Sequence, residues 1–389
     1  MKLNSFITAL ILLLSLSACS SNKLTQKSAQ QTSSHPISVI NLKASQSIDD
    51  IAGKLAKHRT VFVGESHTNY SDHLNQLAVI KSLHKRWGKQ TSIGLEMIQK
   101  PYQSFLDDYI AGKITEKEML RGTQWYQRWK YDFRLYRPIF DYAKTNMIPL
   151  VALNVPQELT KKITKVGING LNKKERQNLP PFIDRSNKKY VKRITSVFSR
   201  HSHTSSKGIQ KFLDAQLAWD EGMAFSAANF LKKNPKKKMV IIAGSGHVIN
   251  YEGIPDRLDR QLHSKSAVVL NDIQGDSLAV NGDYLLFSPV KKLSRVGRIG
   301  IAMDETAQHN GVKVSMISPK GAAKQAGIQK GDVIIKLDNQ KISDILDLKV
   351  FIQDKPPGSK ITAQLRRKNQ QLTRKMTLKS PPISPFMMK

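Results

Sequence analysis

Thr60-Val61-Phe62-Val63-Gly64-Glu65-Ser66-His67 is the stretch whose reading decides the fold. Four apolar or β-favouring residues run into a glycine and then into two ionisable side chains. The run does not alternate between apolar and polar, so both of its faces need cover, as in a strand inside a parallel sheet. Four other runs share this character: Ser92-Ile93-Gly94-Leu95, Pro149-Leu150-Val151-Ala152-Leu153, Met239-Val240-Ile241-Ile242-Ala243 and Ala267-Val268-Val269-Leu270. Helical patterns at Leu74–Trp87, Tyr136–Thr145 and Ile209–Lys232 lie between them. That order predicts an α/β domain with a mainly parallel sheet flanked by helices.

In an open α/β sheet, ligands bind outside the carboxyl ends of the strands. The residues after each run are therefore the candidates. They are Glu65-Ser66-His67, Glu96, Asn154, Gly244-Ser245-Gly246-His247 and Asn271-Asp272. Two of these ends share the pattern Gly-x-x-His. The glycine lets the chain turn sharply beside a ligand, and the imidazole offers a nitrogen as ligand or base. Glu65 and Glu96 would be costly to bury alone, so histidines, a metal or each other are their expected partners. Tyr251, four residues past His247, falls on the same rim. Trp125, Tyr126, Trp129, Tyr131, Phe133 and Tyr136 cluster within twelve residues of a chain that is 7% aromatic. Such a cluster is either a packing seam between helices or a wall for a large flat ligand. Trp219-Asp220, on the long helix, is expected to face the core.

The chain has 389 residues, room for two or three domains. Lys plus Arg number 62 against 30 Asp plus Glu, and the resulting charge of +32 points to anionic surroundings. The one cysteine, Cys19, excludes an internal disulfide framework, Cys-rich zinc ribbons, iron–sulfur clusters and c-type haem attachment. Before it, Lys2 and the apolar stretch Ile7–Leu16 read as a signal peptide (1–18), too short to span a membrane. Leu16-Ser17-Ala18-Cys19 resembles a bacterial lipobox, so Cys19 is the expected site of lipidation, including palmitate. Ser20 in the next position suits sorting to the outer membrane, facing the periplasm. Residues 19–47 are polar and suit a flexible tether.

Residues 160–200 carry twelve Lys or Arg against Glu175 and Asp184. They read as a helical insertion with a cationic surface. No helix-turn-helix or finger motif accompanies that charge, and an exported protein would not meet the chromosome, so nucleic acid is not an expected partner. Residues 296–379 contain strand-like segments at 311–316, 333–337 and 360–366 and a helix at 344–354. With Arg298-Ile299-Gly300-Ile301 and Ala326-Gly327-Ile328-Gln329-Lys330-Gly331-Asp332-Val333-Ile334, they resemble a bacterial PDZ domain. The resemblance implies binding of protein C-termini by strand addition, with Arg298, Ile299, Gly300 and Ile301 as the carboxylate-binding loop. The proline-rich end, 380–389, is expected to be a disordered tail.

The string Val63-Gly64-Glu65-Ser66-His67-Thr68-Asn69, followed by Asp72-His73 and Gln76, resembles the opening motif of the ChaN-like haem-binding family. That family belongs to a set including Tiki proteases and the TraB and erythromycin-esterase relatives. Gly94-Leu95-Glu96-Met97, Tyr136-Arg137-Pro138-Ile139, Ala152–Pro156, Trp219-Asp220, Ala243–His247, Gly253-Ile254-Pro255 and Asp283-Tyr284 extend the match over about 48–290. The resemblance implies a haem-binding lipoprotein of bacterial iron uptake, as a homodimer with paired haems and a tyrosine on the iron. Tyr251 is the first choice for that tyrosine, with Tyr131 and Tyr70 behind it. Glu65, His67, Glu96 and His247 would complete the cofactor site. The same His and carboxylate rim also suits a Tiki-like metal-dependent hydrolase. There His67 and His247 would hold a divalent ion, and Glu65 or Glu96 would activate water. A third possibility is a scaffold centred on the PDZ domain.

Overall fold

The computed structural model describes residues 45–199, 206–272, 281–304 and 310–381. The expected signal peptide, Cys19, the tether up to residue 44 and the tail from 382 lie outside the described residues. The chain divides into two compact units. One runs through Ile114 and from Gln127 to Lys291; the other joins Thr115–Tyr126 to the chain from Lys292 onward.

The first unit holds β1 (Thr60–Glu65), α1 (Tyr70–Trp87), β2 (Thr91–Gln99), α2 (Arg137–Thr145) and β3 (Leu150–Asn154). Then come α3 (Gln157–Val166), α4 (Lys173–Arg176), α5 (Lys188–Ser199), the 28-residue α6 (Ser206–Lys233), β4 (Lys238–Gly244), α7 (Ile254–Leu262), β5 (Ala267–Asn271) and β6 (Tyr284–Leu286). Every pairing in the sheet is parallel, in the order β3-β2-β4-β1-β5-β6. All residues of β1 and β2 are buried, which is why neither alternates. One face packs Phe62, Ile241 and Val268 on the small residues Ala224, Ala227 and Ala228 of α6 and on Ile254 and Leu258 of α7. The register sets the strand ends level: Glu65 lies beside Gly244 across β1 and β4, and Leu95 beside Ile242 across β2 and β4. The carboxyl ends of β1 and β4 therefore finish together, and β2, longer than the expected Ser92–Leu95 run, continues past them to Gln99.

The basic segment is helical, as α3, α4 and α5. Leu159 and Ile163 of α3 pack on Ala215 and Ala218 of α6, and Tyr190 and Ile194 of α5 pack on Phe212, Leu213 and Leu217. Among the described residues, no helix is long and apolar enough to cross a membrane.

The second unit holds β7 (Ile301–Met303), β8 (Val312–Ile317), α8 (Ala322–Gln325), β9 (Val333–Leu337), β10 (Gln340–Lys341), α9 (Ile345–Ile352), β11 (Lys360–Arg367) and β12 (Gln370–Thr377). Its sheet is antiparallel, in the order β12-β11-β9-β8-β7, with β10 beside β9. Val314, Ile334, Leu337, Ala363 and Leu365 are core residues. The eight-residue β12 is not among the expected strands. It is polar at most positions and exposed at every second one, as an edge strand is. Thr115–Tyr126 packs into this unit, where Arg121 bonds Asp344 and Asp347 of the α9 start and Lys117 pairs with Asp347 at 2.6 Å.

Candidate functional site

Glu65 ends β1 fully buried, and the Gly64–His67 turn folds the His67 ring back over it. His67 Nδ1 donates to Glu65 Oε1 at 2.6 Å. Tyr136 also donates to Oε1 at 3.3 Å, while Oε2 is buried without a hydrogen bond, 3.8 Å from His73 Nε2. Both nitrogens of His73 face acceptors: Nε2 the His67 carbonyl at 3.2 Å, and Nδ1 Gln76 Oε1 at 3.1 Å. Gln76 in turn donates to the Val63 carbonyl, which ties the second turn of α1 to β1.

Glu96, within β2 three residues before its end, accepts from the Gly244 amide at 2.6 Å and lies 3.4 Å from His247 Nε2. His247 Nδ1 donates to Asp220 Oδ1 at 2.5 Å, and Tyr190 donates to Asp220 Oδ2 at 2.7 Å. Gly244 lets the two halves approach. A Cβ there would lie 2.8 Å from His67 Cε1, 3.3 Å from His67 Nε2 and 3.6 Å from Glu96 Oε2. The result is one chain of alternating charge: Glu65, His67, Glu96, His247, Asp220. Each histidine is held at Nδ1 by a buried carboxylate, His247 Nε2 faces Glu96, and the Glu96 charge also acts on His67.

Burial alone would push the Glu65 carboxyl up, but His67 and His73 outweigh it and hold it below its ordinary value. Asp220 is lowered for the same reason, with His247 as the partner. Burial disfavours both imidazolium ions, yet Glu65 raises His67 and Asp220 with Glu96 raises His247 to about 9. Asp72, whose Oδ2 accepts from the Ser66 amide at 2.8 Å, is pushed up to about 7 by burial, with Glu65 and Asp272 adding to it.

Four of the residues expected from the strand ends thus meet: Glu65, His67, Glu96 and His247. Tyr131 joins them, its ring centroid 5.0 Å from that of His67, and Trp129 lies at 4.7 Å on an edge. Burial and the charges of Glu65 and Glu96 raise the Tyr131 phenol to about 12. Tyr251 does not join them. Asn250 and Tyr251 both adopt left-handed backbone (φ 60° and 59°), which turns the phenol to hydrogen-bond Asp283 and pack on the sheet core. The aromatic cluster also divides. Trp125 and Tyr126 belong to the second unit, Phe133 packs on Phe140 at 5.1 Å, and Trp129, Tyr131 and Tyr136 remain at His67. Tyr70 opens α1. Asp220 is buried in the core, as its place on the long helix predicts, and there it anchors His247. Tyr190 and His73 carry no strand-end signal, although His73 and Trp219-Asp220 stand in the motif string. Arg193 of α5 braces the second turn from outside, donating to Gly246 O at 3.1 Å and Glu252 at 2.7 Å.

In the second unit, Arg298 pairs with Lys379 through both backbone groups, and the Ile299 and Gly300 carbonyls accept from Ala323 and Ser318. Gly300 (φ +80°) lies so close to Gly321 that a Cβ would come within 2.7 Å of its Cα. Ile301 then starts β7, which pairs only with β8 within the described sheet and ends its strand order.

A parallel α/β unit with a carboxylate–imidazole chain at its carboxyl edge, joined in sequence to a small antiparallel β unit, defines the class of protein. The family model described as "Haem-binding uptake, Tiki superfamily, ChaN" matches residues 51–258, more than half of the chain, and a PDZ domain model matches 297–378. The chain belongs to the ChaN haem-binding uptake family and carries a PDZ domain. A solved structure described as cofacial haem binding to ChaN of Campylobacter jejuni shares the fold. It is 19% identical, with a TM-score of 0.51, over 62% of this chain and 91% of that one. A probable periplasmic serine endoprotease DegP-like of Rickettsia prowazekii is 32% identical over 91 residues, 21% of this chain and 18% of that one. The serine endoprotease DegS of Escherichia coli K12 is 36% identical over 77 residues, 20% and 22% of the two chains. The chain spans about a fifth of the length of these curated relatives.

Proposed function

We propose that this protein is a membrane-anchored haem-binding lipoprotein of bacterial haem and iron uptake, with the PDZ domain as its partner-binding module. The observation that carries the reading is His67, locked to Glu65 and flanked by Trp129 and Tyr131, in a chain of the ChaN family. These residues fit the group: aromatic side chains, a phenol and an imidazole at one rim, and a buried Glu65 oxygen without a hydrogen bond. Tyr131 replaces Tyr251 as the tyrosine for the iron, and the exposed Lys130 between Trp129 and Tyr131 suits a propionate. Bound haem would supply iron-centred ligand chemistry at that rim. Glu65 fixes the His67 tautomer, and Trp129 keeps water from its edge. Lipidation of Cys19, placement at the outer membrane facing the periplasm, and a homodimer with paired haems complete the proposal.

Haemin titration tests it. Wild-type protein should bind close to one haemin per chain with a Soret band, and Tyr131→Phe should remove the phenolate charge-transfer absorption. A chain that binds no haemin overturns the reading. Membrane fractionation tests the anchor: Cys19→Ser should leave the lipid-modified fraction, and unchanged mobility of the two forms counts against lipidation.

A second reading, a divalent-metal hydrolase, is favoured by one observation. Both Nδ1 atoms are held by carboxylates, the arrangement that orients imidazoles as metal ligands. Among the described residues, no group of three or more His, Cys, Asp or Glu is disposed to hold an ion. Metal analysis of the same preparation separates the two. Stoichiometric metal and peptidase activity, both lost in His67→Ala and His247→Ala, would replace haem with hydrolysis.

A further inference from the structure

The basic helices have no part in the site beyond Tyr190 and Arg193, and their charge is not spread evenly. Lys161 and Lys165 stand one turn apart on the outer side of α3, opposite the buried Leu159 and Ile163. Lys162 pairs with Glu175 at 2.7 Å and so draws α4, with its exposed Lys173 and Lys174, to the flank of α3. Lys211 reaches the same place from α6, donating to the Lys165 carbonyl at 2.6 Å. Nearby acids are already engaged: Glu175 by Lys162, Glu158 by Arg128, and Asp214 by Arg185 and the Ile168 amide. Among the described residues, Lys161, Lys165, Lys173 and Lys174 have no ion pair or hydrogen bond at their ammonium groups. Val166, an apolar side chain 45% exposed, ends α3 beside them.

We infer that the α3–α4 face is a membrane-docking surface that lies on anionic phospholipid headgroups. Clustered ammonium groups that make no ion pair, the one nearby acid of Lys161 being Glu158 already held by Arg128, surround an exposed apolar side chain and match a negatively charged interface with accessible acyl chains. A protein partner would instead call for a shaped, largely uncharged centre. The surface acts whether or not Cys19 is lipidated, since it is built from the folded unit alone.

The test is co-sedimentation of full-length Cys19→Ser protein with vesicles of phosphatidylcholine containing about one-third phosphatidylglycerol, beside vesicles of phosphatidylcholine alone. The neutral vesicles measure whatever the apolar leader contributes. Replacing Lys161, Lys165, Lys173 and Lys174 together by Gln should lower partitioning to the anionic vesicles by roughly tenfold or more. Replacing Lys320, Lys330, Lys341 and Lys375 by Gln removes the same net charge and should lower it by less than about threefold. Val166→Ser should weaken binding without altering its salt dependence. Haemin titration and the urea midpoint report whether each variant is folded, and Lys173→Glu with Lys174→Glu, on the short exposed α4, serves as a second variant. Equal losses from the two quadruple sets would overturn the proposal, as would equal binding to neutral and anionic vesicles. Full displacement by ~10 mM inorganic phosphate would also overturn it, because the surface would then be a free-anion site.

Discussion

Gly244 sits where a methyl group would lie 2.8 Å from the His67 ring and 3.6 Å from Glu96. Gly244→Ala must therefore push His67 from between Glu65 and Glu96. The expected cost is about 1–3 kcal/mol of unfolding free energy by urea titration, with weakened haemin binding; unchanged haemin affinity would show that His67 placement is not needed. Charge at the same residues sets a pH dependence. His247 is raised from 6.5 to about 9, so its contribution is complete below pH 6.5 and is lost as pH rises through 9. Asp72 is raised from 3.8 to about 7, so the folded state also loses stability as pH climbs from 3.8 through 7. Asp220 and Glu65 are lowered, and their contribution is lost only in acid. Between pH 6.5 and 9.5 the wild type should lose on the order of 2–3 kcal/mol of unfolding free energy. Asp220→Asn, which removes the counter-charge, should flatten that decline. A variant that keeps the full slope would assign it to another group.

Among the elements, α5 does more than present lysines. Tyr190 is fully buried, and its hydroxyl is the donor that steadies Asp220 behind His247. Tyr190→Phe leaves Asp220 Oδ2 short of a partner in the core and should cost about 1–3 kcal/mol. The pH 6.5–9.5 decline should persist, because Asp220 stays ionised beside His247 without the Tyr190 donor. Urea titrations at both pH values check both expectations. Strands were the legible elements because each is a short apolar run covered on both faces, and their ends place Glu65, His67, Glu96 and His247 at one edge. Asp220 and Tyr190 were not legible as site residues, because they come from helices whose facing depends on tertiary packing. Tyr251 misled for a related reason. Spacing from His247 suggested the rim, but Asn250 and Tyr251 both take left-handed backbone and the phenol bonds Asp283, and nothing in Asn250-Tyr251 announces that. The edge strand β12 was hidden by its polarity.

For the molecule as a whole, two folded units are joined in one chain: a parallel sheet with a charged carboxyl edge and a PDZ sheet whose strand order ends in β7. Gly300 and the edge position of β7 predict that the full-length protein binds peptides with a free C-terminal carboxylate more tightly than amidated ones, by roughly tenfold. Fluorescence anisotropy with matched peptide pairs measures this, and equal affinities would reduce the module to a packing element. The PDZ unit was legible in the primary structure, because the glycine-plus-Asp-Val-Ile pattern at 327–334 marks its turn into β9. The division of the 125–136 aromatics between two units was not visible, because neighbouring residues of one type read as one cluster until the chain path is known.

The order β3-β2-β4-β1-β5-β6 has a consequence in time. β1 pairs with neither strand that precedes β4 in the chain; its neighbours are β4 and β5, the first of them ~180 residues later. On a ribosome adding roughly 5–20 residues per second, Thr60–Glu65 waits about ten to forty seconds for its first partner. Throughout that interval its apolar run has both edges open, and the imidazole–carboxylate chain stays incomplete, because its His247 links come only after β4. Nascent chains halted near residue 230 should therefore be digested readily at β1 by a protease, whereas chains halted past β5 should resist. Synthesis from the first residue to the last of β5 is thus a single commitment, and a transcript cut short anywhere before it yields a sticky fragment in place of a weaker protein.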